Sequence, residues 1–454
     1  MIELLITVVA FVIAISVLVV VHELGHYSVA RLSGVEVLRF SVGFGKPLWT
    51  RRIGKDRTEW VIAAVPLGGY VKMLDEHEGE VPKAELPRAF SRQSLWKRAA
   101  IVLAGPFANF LFAILAYTAV NIVGLEGLRP VVGTVAQNSL GQKAGFRAGD
   151  EWLSIDGQPV QSWDERRLYL YEKALDRATV RFTVRDRDRL MQERLLDLSS
   201  LTAAEVGAGL LERQLGLAPA IPELIPVIGT VEDGSPAARA GLRKGDRVTS
   251  IDGRPVRVWS DLVEIVSARP NEPLRIAIER DGRTETLQLT TQAVERGGRK
   301  FGRIGAGVEI PPLPPESKVL VRYPPLTALT EGAETTWRMS VLTLKMLWKM
   351  LRLEVSTQTI SGPLTIAQYA GASVQIGFDR FLLFLAVVSV GLGVLNLLPV
   401  PVLDGGHLLF YAVEGIKGSP LSERAMHWGQ QVGIALLIAL MALAFYNDFM
   451  RLLH

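Results

Sequence analysis

The chain has 454 residues, 49% of them hydrophobic, and a mean hydropathy of +0.25, which is too long for one domain and fits a multi-pass membrane protein carrying a soluble portion. With 50 Lys and Arg against 46 Asp and Glu the net charge is only +4, so the strongly basic balance of a nucleic-acid-binding protein is excluded. There is no cysteine, which excludes disulfide frameworks, thiolate metal sites and cysteine nucleophiles and leaves His and carboxylates to hold any metal.

Residues 1–30 read as a first membrane span. Leu4 to Val21 is an apolar run long enough to cross a bilayer core, its head carries Glu3 and no Lys or Arg, and no small-x-small cleavage site follows. It is expected to be a retained helix. The run continues into His22-Glu23-Leu24-Gly25-His26. On a helix His22 and His26 lie one turn apart on one face, so two neutral imidazoles can hold one zinc ion while Glu23 takes a proton from an attacking water. Ionisable groups at membrane depth are costly and so are usually functional.

Residues 31–98 carry 13 Lys and Arg, which makes this a cytoplasmic loop by the positive-inside rule and starts the N-terminus on the far side. Within it, Val35 to Leu48 and Thr58 to Met73 alternate apolar and β-branched residues between glycines, among them Gly43, Gly45, Gly68 and Gly69, and read as a membrane-associated β-hairpin or small sheet. Such a sheet beside a peptidase site could offer an open strand edge to an extended substrate, or it could be a solvated hairpin. Residues 99–124 form a second span, opened by Ala104-Gly105-Pro106 and carrying Asn109, which could pack helices together or line the active site.

Residues 125–222 and 223–312 are two copies of one mainly β domain. Val131-Val132-Gly133-Thr134-Val135 recurs as Val227-Ile228-Gly229-Thr230-Val231, an offset of 96 that also relates Gly149-Asp150 to Gly245-Asp246, Ile155-Asp156-Gly157 to Ile251-Asp252-Gly253 and Trp163 to Trp259. The order of strand, Ala-Gly, Gly-Asp and Ile-Asp-Gly resembles PDZ domains, which bind extended chain ends by strand addition; peptide binding and steric gating are both open. Residues 313–380 hold a Pro-rich linker and an amphipathic stretch, Leu326 to Leu353, too charged to span. Residues 381–405 form a third span ending in Asn396-Leu397-Leu398-Pro399-Val400-Pro401-Val402-Leu403-Asp404-Gly405, residues 406–428 a cytoplasmic loop, and residues 429–454 a fourth span and tail.

Counting passes returns Asp404 to the membrane side and depth of the two histidines. A catalytic zinc needs a third protein ligand, and Asp404 can supply it; His407, one turn on, is the competitor, while His77, His427 and His454 are weaker.

His22-Glu23-x-x-His26 with Asn396-x-x-Pro399-x-Pro401-x-Leu403-Asp404-Gly405 resembles the site-2 protease family of intramembrane metalloproteases, and Gly43-Phe44-Gly45, Pro66-Leu67-Gly68-Gly69-Tyr70 and Ala104-Gly105-Pro106 strengthen the likeness. The resemblance implies a four-span α-helical protein of the bacterial inner membrane, with a small cytoplasmic sheet, two periplasmic PDZ domains, both termini periplasmic and one Zn²⁺ per chain. It implies cleavage of single-pass membrane proteins within the bilayer after another protease has trimmed them, with an anti-sigma factor fragment and remnant signal peptides as substrates and an envelope-stress sigma factor as the beneficiary. It further implies that the sheet pairs with unwound substrate as an added strand, that Asn396 helps bind it, and that the PDZ pair filters by size; Gly68 and Gly69 of the sheet and Asn109 of the second span are the other candidate substrate contacts. A non-enzymatic membrane-anchored PDZ scaffold or chaperone is the alternative, and would show neither metal nor dependence on Glu23.

Overall fold

The opening apolar run contains no Pro or Gly before Gly25, and it forms one uninterrupted helix, α1, Ile2–Leu32. The computed structural model describes every residue except Met1, His77, Glu78, Glu80, Gly297, Gly298, Pro420 and His454, so the weaker candidates His77 and His454 lie outside the described residues. From Ala10 to Gly25 the buried residues of α1 (Ala10, Ala14, Leu18, His22, Gly25) recur every three or four positions, the stripe of a helix that packs along one side.

Ala10, Ala14 and Leu18 pack with Ala370, Phe381 and Leu385, and further along, at His22 and Gly25, the stripe meets a second helix, α2, Leu95–Val123. The two backbones approach at small residues: a Cβ on Gly25 would stand 2.2 Å from the Ala104 carbonyl oxygen. Side chains would force the helices apart, so glycine permits the close crossing that lets groups on α2 reach the face of α1 bearing His22 and His26.

The expected hairpin is a sheet folded on itself. Strands β1, Val37–Ile53, and β2, Thr58–Met73, are antiparallel, but Arg39 pairs with both Lys72 and Glu59, and Ser41 with both Tyr70 and Val61. Each long strand therefore contributes two stretches, and 37–42 lies between 59–62 and 69–73. Breaks at Gly43 (φ +90°) and Gly68 (φ +102°) make this possible; a Cβ on Gly43 would also stand 2.6 Å from the Val65 carbonyl oxygen.

The repeat reappears as matching architecture. In the first copy the strands Gln158–Pro159, Glu151–Ile155, Thr179–Arg185 and Met191–Asp197 lie side by side in that order; in the second the order is Arg254–Pro255, Arg247–Ile251, Pro273–Arg280 and Arg283–Thr290. Each sheet closes over its own core, with Val180, Phe182 and Val184 in the first and Leu274, Ile276 and Ile278 in the second. Residues 219–319, which hold the second copy, form a compact unit by themselves.

The first copy packs on the amphipathic helix Pro325–Leu351, whose Leu342, Met346 and Met350 join its core. Arg338 to Glu172 (3.1 Å) and Lys345 to Asp176 (2.7 Å) flank that contact. The charges that disqualified this helix as a span are thus spent on a domain surface.

Among the described residues, four helices are long and apolar enough to cross a membrane: Ile2–Leu32, Leu95–Val123, Phe378–Asn396 and Arg424–Arg451. The third ends at Asn396, earlier than expected, and an irregular turn carries the chain to Asp404. There the expected loop begins instead with a helix, Asp404–Lys417, before the last long helix, Glu423–Leu453. The Gly-Gly pair that suggested a loop serves close approach: a Cβ on Gly405 would stand 2.2 Å from the Leu398 carbonyl oxygen, and one on Gly406 2.4 Å from that of Val400.

Candidate metal centre

Helical periodicity places His22 and His26 on the α2-facing side of α1, and their Nε2 atoms stand 3.2 Å apart. Two neutral nitrogens cannot both hold a proton in that gap. Asp404 enters from the far end of the sequence, with Oδ2 3.2 Å from His22 Nε2 and Oδ1 3.5 Å from His26 Nε2. Three donors about 2.0–2.1 Å from one tetrahedrally coordinated ion are roughly 3.3 Å from each other, so these separations suit a zinc-sized ion. One ligand atom from each residue can be chosen with all three within 4.8 Å of one another.

The surroundings fit that use. Asp404 Oδ2 is buried and has no hydrogen-bond donor among the described residues. Gly105 leaves the room the rings occupy, since a Cβ there would stand 2.3 Å from His26 Nε2 and 2.8 Å from His22 Cε1. Each imidazole is gripped from behind. His26 Nδ1 donates to the Ile101 carbonyl at 2.8 Å, and His22 Nδ1 meets the Asn109 side chain at 3.0 Å. A proton held on Nδ1 leaves the Nε2 lone pair facing the centre.

Glu23 follows His22 on α1 and lies near the backbone of Val71 on β2. A Cβ on Gly69 would stand 3.4 Å from Glu23 Cγ and 2.7 Å from Val19 Cγ1, so the 69–73 stretch lies against the candidate base. That stretch pairs with 37–42 on one side. Asn396 Nδ2 is 3.5 Å from His22 Nε2, at the rim of the centre.

Other expected residues fall elsewhere. Gly68 faces the Phe44 ring, with a Cβ only 2.4 Å from Phe44 Cε2, and serves the fold of the sheet. Asn109 sits behind His22 and is fully buried at 0% exposure, so it contacts the candidate ligand where a substrate contact was expected. His407 does not join the ligating group; its ring packs edge-on against Phe410 with centroids 6.4 Å apart. His427 is exposed on the last helix.

Sequence reading missed the groups that hold Asp404 in place. A Cβ on Gly433 of the last helix would stand 1.7 Å from the Pro401 carbonyl oxygen, so that helix closes on the turn preceding Asp404. Arg98, at the start of α2, pairs with Glu414 at 2.5 Å and lies 5.0 Å over the Tyr411 ring, fixing the helix that Asp404 begins. Two charges flanking apolar segments were the available signal for that pair; nothing in the local pattern marks Gly433.

The model of Peptidase family M50 matches residues 10–440. The chain is 44% identical over 443 residues, 98% of both chains, to the regulator of sigma-E protease RseP of Salmonella typhimurium (strain 14028s / SGSC 2262). It is 43% identical over 443 residues, again 98% of both, to the protein of the same name from Escherichia coli (strain K12). A candidate zinc metalloprotease by name from Neisseria meningitidis is 43% identical over 451 residues, 98% of this chain and 99% of its own.

Proposed function

The chain belongs to peptidase family M50, the site-2 proteases, and from that premise we propose that His22, His26 and Asp404 hold one zinc ion and that Glu23 is the base of peptide hydrolysis. The protein is a membrane metalloprotease of regulated intramembrane proteolysis. The observation that carries the assignment of residues is the meeting of two histidines from the first helix with an aspartate from beyond the third, each histidine's second nitrogen already engaged.

Zinc bound there supplies Lewis acidity, which acidifies water and polarises a peptide carbonyl. Glu23 accepts a proton from the attacking water and passes it to the departing amine nitrogen. Asn396, close to His22 Nε2, donates its amide N–H to the substrate backbone beside the scissile bond.

A helical substrate hides its carbonyls in its own hydrogen bonds, so it must unwind before it is cut. The 69–73 stretch of β2 supplies the replacement partners. Strand addition on this edge lays an extended segment alongside Glu23, and Gly69 keeps the approach free of a side chain. In this reading the cationic 31–98 segment is cytoplasmic, and the two β repeats, read as PDZ domains, and both termini are periplasmic. The protein lies in the bacterial inner membrane, and its substrates are trimmed single-pass proteins: an anti-sigma-E fragment, whose release activates the envelope stress response, and remnant signal peptides. The PDZ pair filters substrates by size or holds their ends.

The test is cleavage of a transmembrane peptide by the full chain in detergent, together with metal analysis. Glu23→Gln should keep stoichiometric zinc and lose activity by about 10²–10⁴-fold. Full activity in that variant removes Glu23 from the mechanism. Wild-type protein that takes up no zinc removes the ligand assignment.

A further inference from the structure

Asn109 is fully buried in the middle of an apolar helix, and among the described residues its side chain hydrogen-bonds to one polar group, His22 Nδ1, at 3.0 Å. The amide nitrogen faces the ring, and the amide oxygen, also buried, has no partner among the described residues. That arrangement conflicts with the rest of the centre. A donor at Nδ1 would make that nitrogen the acceptor and put the His22 proton on Nε2, which is 3.2 Å from His26 Nε2 and 3.2 Å from Asp404 Oδ2. His22 could then give no lone pair to a metal.

Turning the amide by half a rotation exchanges oxygen and nitrogen at nearly the same positions and removes both faults. The oxygen accepts from Nδ1–H, the orphan is satisfied, and the Nε2 lone pair faces the centre. His22 then matches His26, whose Nδ1–H is already taken by the Ile101 carbonyl. The backbone at this point is anchored as well, since Ser389 of the third span donates to the Asn109 carbonyl oxygen at 2.8 Å.

We propose that Asn109 is a positioning residue for the metal centre, whose amide oxygen accepts from His22 Nδ1–H and so fixes the tautomer in which His22 can bind zinc. This rests on the reading of His22, His26 and Asp404 as zinc ligands. Being behind the ring, Asn109 does not touch substrate. Its effect falls on metal affinity, where partners of this kind are worth about 10–100-fold.

The experiment titrates zinc into the purified, metal-stripped full chain against a chelator of known affinity, for wild type, Asn109→Leu, Asn109→Ala and Asn109→Asp. Leu and Ala, which offer no acceptor, should weaken zinc binding by about 10–100-fold, while Asp, an acceptor in either orientation, should hold zinc at least as tightly as Asn. Thermal unfolding of the metal-free forms reports packing separately, and the Ala variant covers the case in which Leu fails to fold. Leu and Ala affinities within twofold of wild type overturn the proposal while leaving the ligand set standing. Equal weakening by Leu, Ala and Asp also overturns it, because a packing role would not separate acceptor from non-acceptor. If wild type itself takes up no zinc, the ligand reading falls and this inference falls with it.

Discussion

The two halves of the candidate metal centre are built in different ways. The histidine half is local: two rings one turn apart on a single helix, each steadied from behind by a group on the helix it crosses at Gly25 and Gly105. The aspartate half is assembled from distant pieces. Asp404 follows a turn in which Val402 has φ +106°, and that turn is pressed by Gly433 of the last helix and secured beyond it by Arg98 and Glu414. A ligand pair on one helix survives disturbance elsewhere, whereas a ligand delivered by a turn is only as well placed as its remote supports. The aspartate is therefore where change far from the centre should reach the chemistry.

The largest effect tests whether the aspartate half is needed at all. Asp404→Asn should abolish stoichiometric zinc and peptide cleavage together, since two imidazoles alone are an incomplete site. Zinc retained at native affinity in this variant would leave the histidine half sufficient and end the comparison. Gly433→Val comes next. Its Cβ would stand 1.7 Å from the Pro401 carbonyl oxygen and 3.1 Å from Val402 Cγ2, so helix and turn must part. Zinc affinity should fall by about 10–100-fold although no ligand has changed, as for lost supporting contacts. Gly429→Ala, facing the Phe410 ring at 3.0 Å, is the control; a planar side chain can give way, and little loss is expected.

The same contrast explains what could be read without coordinates. His22, Glu23 and His26 are legible because helical periodicity is a property of neighbours in sequence. Asp404 followed from counting passes, since each span reverses the side on which the chain emerges. Neither device reports how closely two backbones approach. The role of Gly433 exists only where the last helix meets Pro401, and Asn109 declares itself only once α2 crosses α1. The folding of β1 and β2 into four paired stretches was equally hidden, because the alternation that marks strands does not say with how many partners each will pair. The 404–417 helix was missed because Gly405 and Gly406 are turn residues by composition and close-packing residues in fact.

Arg98→Met probes the more distant support. The Arg98 and Glu414 side chains are 17% and 18% exposed, so removing the cation leaves a largely buried acidic side chain with its partner gone. A charged hydrogen bond of this kind contributes roughly 2 kcal/mol, which should appear as lower thermal stability. Zinc affinity should fall less than tenfold, because Gly433 still holds the turn next to the ligand. A larger loss of zinc than Gly433→Val causes would reverse the ranking of the two supports.

The smallest expected effect concerns the turn itself. A β-branched residue at φ +106° is strained by an amount of order 1–3 kcal/mol. Glycine removes that strain but adds freedom to the unfolded chain, at a cost of roughly 0.5–1 kcal/mol. Val402→Gly should therefore raise stability by about 1 kcal/mol on balance. It also removes the Cγ2 that a larger residue at 433 would meet, so adding it to Gly433→Val should restore part of the lost zinc affinity. The two substitutions are then coupled, in the sense that a double-mutant cycle measures. Strict additivity would mean that strain at Val402 and the approach of Gly433 are unrelated, and that the last helix holds Asp404 by some other contact.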